Sequence, residues 1–349
     1  MNRPERIRLG GILAVAGGAA VALVVFAILE PKQAAAGWLI GFLFWSQIPI
    51  GSLVLSMIHT LTGGRWGWTL RPALGPAMAA VPWLFVAIVP VFIALPVLYP
   101  WTHHIGKPDV ASHYLNVPFF IGRSIVALAV WSVLSVLARR AQVRGDLLTA
   151  GIGLLLYGVT ISIVTIDWFL SIQPPFVSSS FGASVGVMQL IAAMAWAALL
   201  APEPEGDPVV GDVGGLLLAF VLGITYLDFM ALLVIWYGDL PHKTFWFVLR
   251  DRWPWSALAG AWFVLGSVAP ILALLLSRVR HSRFALRVVS TSILAGSLLY
   301  TAYLIAPPFG AAALIPAALA LVVIGVLQTL LVTRGWFARL RAEASAHGY

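Results

Sequence analysis

Three ionisable residues lie within long apolar segments of the sequence: Arg123, Asp167 and Asp228. A charge in hydrocarbon is costly, and residues of this kind usually mark ion pathways or proton relays. At about 1.5 Å per helical residue, all three fall in the same, outer half of the membrane. His59 is the ionisable residue at the inner end of another apolar segment. These four residues are the candidates for a proton relay.

Each of the three intramembrane residues also has a simpler interpretation. Arg123 can extend its guanidinium to the outer headgroups while its stem stays in lipid, and Asp167 can cap the end of its helix. Asp228 can be a structural carboxyl held by a hydrogen bond. Its sequence neighbours carry no charge, so any partner must come from another helix. Arg123 and Asp167 are the ionisable candidates for that partner at comparable depth.

The residues that usually hold redox cofactors or perform catalysis are missing or badly placed. The chain has no cysteine, which excludes thiolate metal sites and iron–sulfur ligation. Its seven histidines lie at the ends of apolar segments or between them, whereas a membrane b-type haem needs histidines inside the membrane. The segment Gly182–Gly186 matches the Gly-x-Ser-x-Gly pattern, but it lies inside an apolar segment, where small residues serve helix packing. We therefore expect no metal, no redox cofactor and no catalytic residue in this chain.

The composition places these residues in a membrane protein. Of the 349 residues, 61% are apolar and 10% are charged, whereas soluble domains have about 45–50% and about 25%. This balance excludes a soluble enzyme and a disordered chain. The net charge of +8 comes from basic residues in short loops between apolar runs, so nucleic acid is not an expected partner. The expected surroundings are a lipid bilayer.

Ten nearly uncharged segments are each long enough to cross about 30 Å of hydrocarbon as a helix. They comprise residues 9–29, 38–59, 73–99, 116–138, 147–170, 179–200, 213–237, 254–277, 288–306 and 311–333. Pro307 and Pro308 separate the last two, because consecutive prolines halt a helix. The predicted fold is all-α, a polytopic membrane protein that forms one integral-membrane domain over residues 1–349.

The lysines and arginines predict the orientation of the chain. Of the 21, 15 lie on the side of the N-terminus and six on the other side, which predicts cytoplasmic termini. One loop on the inner side, with Glu203, Glu205, Asp207 and Asp212, contains no basic residue. Acidic residues weigh little in this rule, so the predicted orientation stands.

Several segments resemble those of NrfD-type (polysulfide-reductase-like) membrane subunits. The resemblance is greatest to the ActF-type subunit of alternative complex III, a bacterial quinol:electron-acceptor oxidoreductase. The segments are His59–Gly67 with Arg71-Pro72, Leu98–Trp101, Tyr114–Arg123, Ser162–Gly182 with Ile166–Ser171 and Ser178–Gly182 inside it, and Ile235–Pro241 running on to Arg250. Their order and their positions at loop–helix junctions make the set specific over roughly Gly37 to Pro308.

The resemblance implies two central four-helix bundles with one flanking helix at each end. It also implies a place in the bacterial inner (cytoplasmic) membrane, beside a sister NrfD-type subunit that binds quinol. Periplasmic partners would carry iron–sulfur clusters and haem c, while this chain holds no redox cofactor. Asp167, in the Asp-Trp motif, would conduct protons. The family tends to have acidic residues after Leu240-Pro241, whereas His242-Lys243 follow here, so the periplasmic partner is expected to differ or to be absent.

The leading functional hypothesis is a cofactor-free subunit of a quinol-oxidising respiratory complex, which anchors partners and relays protons. The first alternative is a stand-alone transporter that uses Asp228 and Arg123 as a substrate or ion site. Such a transporter should have inverted repeats with helices broken at matching positions, and the prolines of the second and third segments have no counterparts in the second half. The second alternative is a quinone-binding NrfD-type subunit, which needs a polar pocket beside an apolar cleft.

The orientation can be tested with reporters. A reporter fused after Tyr349 should be cytoplasmic, and a tag inserted between Lys107 and Asp109 should be labelled from outside, because an even number of spans returns the chain to its starting side. The measurement is reporter activity and labelling of intact cells with an impermeant reagent. A C-terminus on the outside would mean an odd number of spans and would contradict the ten-helix prediction.

Overall fold

The computed structural model describes residues 3–103, 113–174, 176–200, 209–238 and 241–346. Several residues used in the predictions lie outside this part of the chain: Glu203, Glu205, Asp207, Leu240 and the tag site from Lys107 to Asp109. The described residues form helices and turns, and no β-strand occurs among them.

Twelve longer helices form the framework of the described residues. They are α1 (Arg3–Leu29), α2 (Pro31–Thr62), α3 (Arg65–Ala79), α4 (Val117–Arg144), α5 (Leu147–Trp168), α6 (Phe181–Leu200), α7 (Val209–Tyr237), α8 (Pro241–Arg250), α9 (Trp255–Phe263), α10 (Ala269–Leu275), α11 (Arg283–Ile305) and α12 (Leu314–Ala346). Short helical turns continue α3 as far as Thr102, and a π-helical turn, Val264–Val268, joins α9 to α10.

Ten segments of the described residues are long and apolar enough to cross a membrane. They are Gly10–Leu29, Pro31–Thr62, Arg65–Ile93, Val117–Gln142, Leu147–Ile172, Phe181–Leu200, Val209–Tyr237, Trp255–Leu275, Arg283–Ile305 and Ala311–Leu331. The predicted all-α polytopic fold is confirmed. The second, third and ninth segments begin five to eight residues earlier than predicted, because hydropathy marks the hydrocarbon portion whereas a helix continues into the polar interface.

Helix α2 is the centre of the molecule. It contacts α3, α4, α5, α6 and α12, and 94% of its most apolar stretch is buried inside the protein. Gly37 and Gly41 allow close approach to α12, since a side chain at Gly37 would collide with Pro316 and Ala317. Small residues of this kind drive helix packing in lipid, where the hydrophobic effect between helices is weak. Helix α1 contacts both α2 and α12, so the first and last helices lie side by side.

The third span is interrupted rather than continuous, in contrast to the single segment predicted over residues 73–99. Pro82, Pro90 and Pro96 each lack the N–H that a helical ladder needs, and the chain between them forms short α and 3₁₀ turns. The Trp38 indole of α2 donates to the backbone carbonyl of Ala87 in this stretch at 2.9 Å. A side chain of α2 therefore provides a hydrogen bond to a backbone carbonyl of the broken span, where the span's own helical hydrogen bonds are interrupted.

The eighth span contains the π-helical turn, which widens the helix next to α11. Ser292 of α11 donates its hydroxyl to the carbonyl of Leu265 in this turn at 2.7 Å. Gly266 and Gly296 lie against each other, and a Cβ on either would meet the backbone of the opposite helix. Single π-helical turns occur frequently at functional sites, and this one lies beside the polar residues described below.

Candidate functional site

Arg123 of α4 and Asp167 of α5 form a bidentate ion pair. The guanidinium Nε donates to Oδ2 and Nη2 donates to Oδ1, each at 2.8 Å. The Asp167 side chain is 0% exposed and that of Arg123 is 17% exposed. Parallel bonds of this kind are the strongest arginine–carboxylate geometry. Arg123 thus binds a buried carboxylate, and Asp167 binds the arginine of a neighbouring helix.

Residues next to the ion pair fix its geometry. The Tyr114 ring lies over the guanidinium, with 3.8 Å between Cζ of Arg123 and the ring centroid. Tyr114 precedes the fourth span, and burial together with the charge of Asp167 raises its pKa to about 12. Trp168 donates its indole N–H to the Ser124 hydroxyl at 2.9 Å. Two consecutive residues of α5, the Asp-Trp motif, thus bind two consecutive residues of α4.

An open apolar groove of about 430 Å³ lies beside this ion pair, along α4 and α5. Its lining consists of Pro118, Phe119, Gly122, Arg123, Val126, Ala127, Thr160 and Ile163. The Thr160 hydroxyl accepts a hydrogen bond from the Trp131 indole at 2.8 Å. Small-molecule sites typically have volumes of about 300–1,000 Å³ and few polar groups. The groove has a volume in this range, and its lining is apolar apart from Arg123 and Thr160.

Asp228 of α7 pairs with a tyrosine, not with a charged residue. The Tyr300 hydroxyl of α11 donates to Oδ1 at 2.7 Å, whereas Oδ2 is buried and accepts from no described protein group. The Trp262 ring lies on the Tyr300 ring, 4.3 Å between centroids. The expectation that Arg123 or Asp167 would be the partner of Asp228 is wrong, since those two residues bind each other. The sequence did not indicate Tyr300, because a tyrosine in an apolar helix resembles any other aromatic residue.

Polar side chains continue along α11 toward α2. The Gln47 amide of α2 donates to the Thr301 hydroxyl at 3.0 Å and accepts from the Ser297 hydroxyl at 2.8 Å. Ser297, Tyr300 and Thr301 occupy adjacent turns of α11. The partner of Asp228 and the two partners of Gln47 are therefore neighbours on one helix. The structure thus places polar groups of α7, α11 and α2 in one region of the protein interior.

Arg250, at the end of α8, is a buried cation. Its side chain is among the largest fully buried ones and is 2% exposed. The guanidinium donates to the carbonyls of Tyr303, Leu304 and Trp246 and to Oε1 of Gln173, at 2.8–3.1 Å. Burial lowers the pKa of Arg250, which lies outside the spans, to about 9, so the group stays charged at neutral pH. The sequence indicated Arg250 only as the end of a resembling segment, because a loop arginine is usually solvated.

His59 closes the turn between α2 and α3 rather than joining the other candidates. Its ring is 7% exposed and its Nε2 lies 2.9 Å from the Gly64 carbonyl oxygen. Trp66 and Trp68 meet the ring edge to face, with 5.1 Å and 5.6 Å between centroids. Gly67 lies against the imidazole, and a side chain there would collide with it. The four predicted residues therefore form three separate groups: Arg123 with Asp167, Asp228 with Tyr300, and His59 in its own turn.

The resemblance to NrfD-type subunits rests on the sequence motifs alone. Neither a scan against protein-family models nor a search of curated proteins finds a match to this chain. Within the described ranges, no three His, Asp or Glu side chains are grouped so that they could hold a metal ion. The site is a set of buried protonatable and hydrogen-bonding groups, and proton movement is the chemistry that such groups can perform.

The ion pair predicts a large loss of stability when one partner is removed. Arg123→Ala leaves the Asp167 carboxylate buried and unpaired, which should cost about 3–5 kcal/mol. Arg123→Lys keeps the charge but loses the bidentate geometry, so its effect should be smaller. The measurement is unfolding of the purified protein in detergent. Arg140→Ala, at an exposed position of the same helix, is the control, and equal unfolding midpoints for Arg123→Ala and Arg140→Ala would contradict the prediction.

Proposed function

We propose that this chain is a cofactor-free, non-catalytic membrane subunit of a quinol-oxidising respiratory complex similar to alternative complex III. In this proposal it lies in the bacterial inner membrane with both termini in the cytoplasm. It anchors a sister NrfD-type subunit and periplasmic subunits that carry iron–sulfur clusters and haem c. It also carries protons through the outer half of the membrane.

The observation that supports this proposal is that segments on which the resemblance rests are in contact in the structure. Arg123, from one segment, donates to Asp167, from another, and the Tyr114 ring of the first segment lies over the guanidinium of Arg123. Arg250 binds Gln173, which follows the Asp-Trp segment along the chain. Both hydrogen bonds join residues that lie in or next to segments on which the resemblance rests.

The loop helix α8 supports an anchoring role. This loop belongs to the segment that the resemblance places against periplasmic partners, and Arg250 holds it to the end of α11 through two backbone carbonyls. The Trp246 ring lies 3.5 Å from the guanidinium carbon of Arg250. A loop that is fixed by a buried cation loses little conformational freedom when a partner binds, and pre-organisation of this kind favours affinity.

Asp228 suits proton transfer better than Asp167 does. Both oxygens of Asp167 accept hydrogen bonds from Arg123 in a bidentate ion pair. Asp228 has one oxygen bound to a neutral phenol and a second oxygen to which no described protein group donates. We therefore assign the proton-carrying role to Asp228, and a positioning role to the Arg123–Asp167 pair.

A quinone-binding role of the chain itself is the second candidate function. The open groove of about 430 Å³ beside Arg123 favours it, because its lining is apolar apart from Arg123 and Thr160. An isoprenoid quinone has an apolar tail and a polar ring that match this division. Quinone extracted in stoichiometric amount from the isolated chain would favour this candidate, and its absence would favour quinol binding in a partner subunit.

The proposed complex predicts co-purification. A tagged chain isolated in mild detergent should carry a sister membrane subunit and subunits with haem c and iron–sulfur clusters, in fixed ratio. The measurement is mass spectrometry together with visible absorption spectra, and an equally tagged polytopic protein of another family serves as the control. A homogeneous preparation that contains this chain alone would contradict the proposal and would favour the stand-alone transporter.

The proton-carrying role predicts a specific effect at Asp228. Asp228→Asn keeps the size of the side chain and an oxygen that accepts from Tyr300, but it cannot bind and release a proton. Assembly should be unchanged, while proton-coupled turnover should fall by about 10²-fold, the lower range for a proton-transfer group. Quinol oxidation and proton uptake by the assembled complex in vesicles are the measurements.

Asp212→Asn is the matched control, because Asp212 is exposed in the first turn of the same helix. It should retain full coupling. A fully active and fully coupled Asp228→Asn complex would contradict the proton-carrying role of Asp228, whatever the co-purification experiment shows.

A further inference from the structure

A groove of about 390 Å³ lies at the end of the molecule where α2 begins. Four parts of the chain form it: the start of α2, the last turns of the broken third span, the end of the fifth span and the break between α11 and α12. Its wall includes Lys32, Pro96, Val97, Pro100, Pro308 and Phe309. Apart from Lys32, the side chains of the wall are apolar. The groove thus combines an apolar surface with a single cation.

The Lys32 ammonium faces this groove. Its Nζ lies 5.7 Å from the centroid of the Phe309 ring, a side chain that is itself part of the wall. Lys32 is exposed, and no carboxylate among the described residues forms an ion pair with it. Glu30, two residues earlier, is also exposed and is not paired with Lys32. The charge is therefore available to an anionic group that enters the groove.

The groove offers an anion the lysine ammonium rather than backbone amides. Three residues of its wall are prolines, which have no N–H. The N–H groups of Val97, Leu98 and Phe309 donate to carbonyls of their own turns. A lysine binds phosphate as a point charge. A phosphodiester, which carries one negative charge, matches this single cation.

An exposed apolar stripe leads from the groove along the broken third span. Val97 of the wall is followed on the same side by Ile93, Val89 and Val86; all four are exposed, and Ile93 most of all, at 77%. Their spacing of three or four residues is that of one helix face, whereas Val91 between them is buried. At about 1.5 Å per residue the stripe is about 16 Å long, close to half of the hydrocarbon thickness of about 30 Å. It therefore has the length of one acyl chain in one leaflet.

We propose that this groove binds an anionic phospholipid, with its phosphate at the Lys32 ammonium and one acyl chain along the stripe from Val97 to Val86. Basic pockets between membrane helices bind anionic headgroups of this kind. A zwitterionic phospholipid fits less well, because its own cationic group lies near that of Lys32 and the wall has no acidic side chain to bind it. The inference goes beyond the proposed function and does not rest on it.

Photo-crosslinking of the full-length chain tests this site. The chain is purified in mild detergent and mixed with an equimolar amount of a phosphatidylglycerol whose acyl chain carries a diazirine. A phosphatidylcholine with the same acyl chains is the comparison. Mass spectrometry of the peptides measures the label attached between Val86 and Val97. Phosphatidylglycerol should label this stretch more strongly than phosphatidylcholine does.

Three substitutions separate the charge of Lys32 from its size and position. Lys32→Gln should reduce labelling by phosphatidylglycerol about fivefold, the effect of one basic residue on an anionic lipid, and leave labelling by phosphatidylcholine unchanged. Lys32→Arg keeps the charge and should retain the labelling. Arg252→Gln is the matched control, because Arg252 is an exposed cation outside the groove, and it should label as the wild-type chain does.

A fourth substitution blocks the groove and leaves its charge in place. Val97→Trp puts a large ring into the groove, so the preference for phosphatidylglycerol should be lost although Lys32 is present. Leu155→Trp, at an exposed position of α5, is the control and should keep the preference. Both positions are exposed, so both variants should fold, and a single symmetric peak in size-exclusion chromatography verifies this.

Equal labelling by the two lipids in the wild-type chain would overturn the inference. Unchanged labelling by phosphatidylglycerol in Lys32→Gln would also overturn it, because the charge would then have no part in binding. A structure of the purified protein with a protein segment in the groove, from this chain or from a partner, would do the same. None of these results bears on the proposed function, which is tested by co-purification and by Asp228→Asn.

Discussion

Hydrocarbon provides no hydrogen bonds, so every backbone polar group inside the membrane must find its partner within the protein. An unbroken helix meets this requirement by itself, and the irregular parts of this chain meet it with side chains. The Trp38 indole binds the Ala87 carbonyl in the proline-rich third span, and Ser292 binds the Leu265 carbonyl in the π-helical turn. Arg250 does the same at the end of α11, where the last carbonyls of a helix have no partner in the ladder.

The same requirement explains how two carboxylates in one half of the membrane acquire different roles. Asp167 has both oxygens bound by Arg123, and the pair joins α4 to α5. Asp228 has a phenol as its partner and keeps a second oxygen without a described protein donor. The ion pair leaves neither oxygen of Asp167 without a donor, whereas one oxygen of Asp228 has no donor among the described residues. The proposed division of labour between structure and proton transfer follows from these partners.

Hydropathy predicted the ten spans because the length of an apolar run and the thickness of the bilayer are both one-dimensional quantities. It also placed Arg123 and Asp167 at a similar depth, and their contact agrees with this. Depth does not reveal which way a side chain faces around its helix axis, so the ion pair and the partner of Asp228 could not be predicted. The burial of Arg250 was equally inaccessible, because it depends on how the loop helix folds back against residues 53 and 54 positions further along the chain.

The central position of α2 has a consequence for biosynthesis. Gln47 enters the membrane early, but its hydrogen-bonding partners Ser297 and Thr301 follow about 250 residues later. At synthesis rates of about 5–20 residues per second, this interval is about 12–50 s. During that time the glutamine amide and the small-residue face of α2 lack their final neighbours. Insertion machinery or an assembly factor that shelters α2 over this interval would protect the nascent chain from wrong helix pairing.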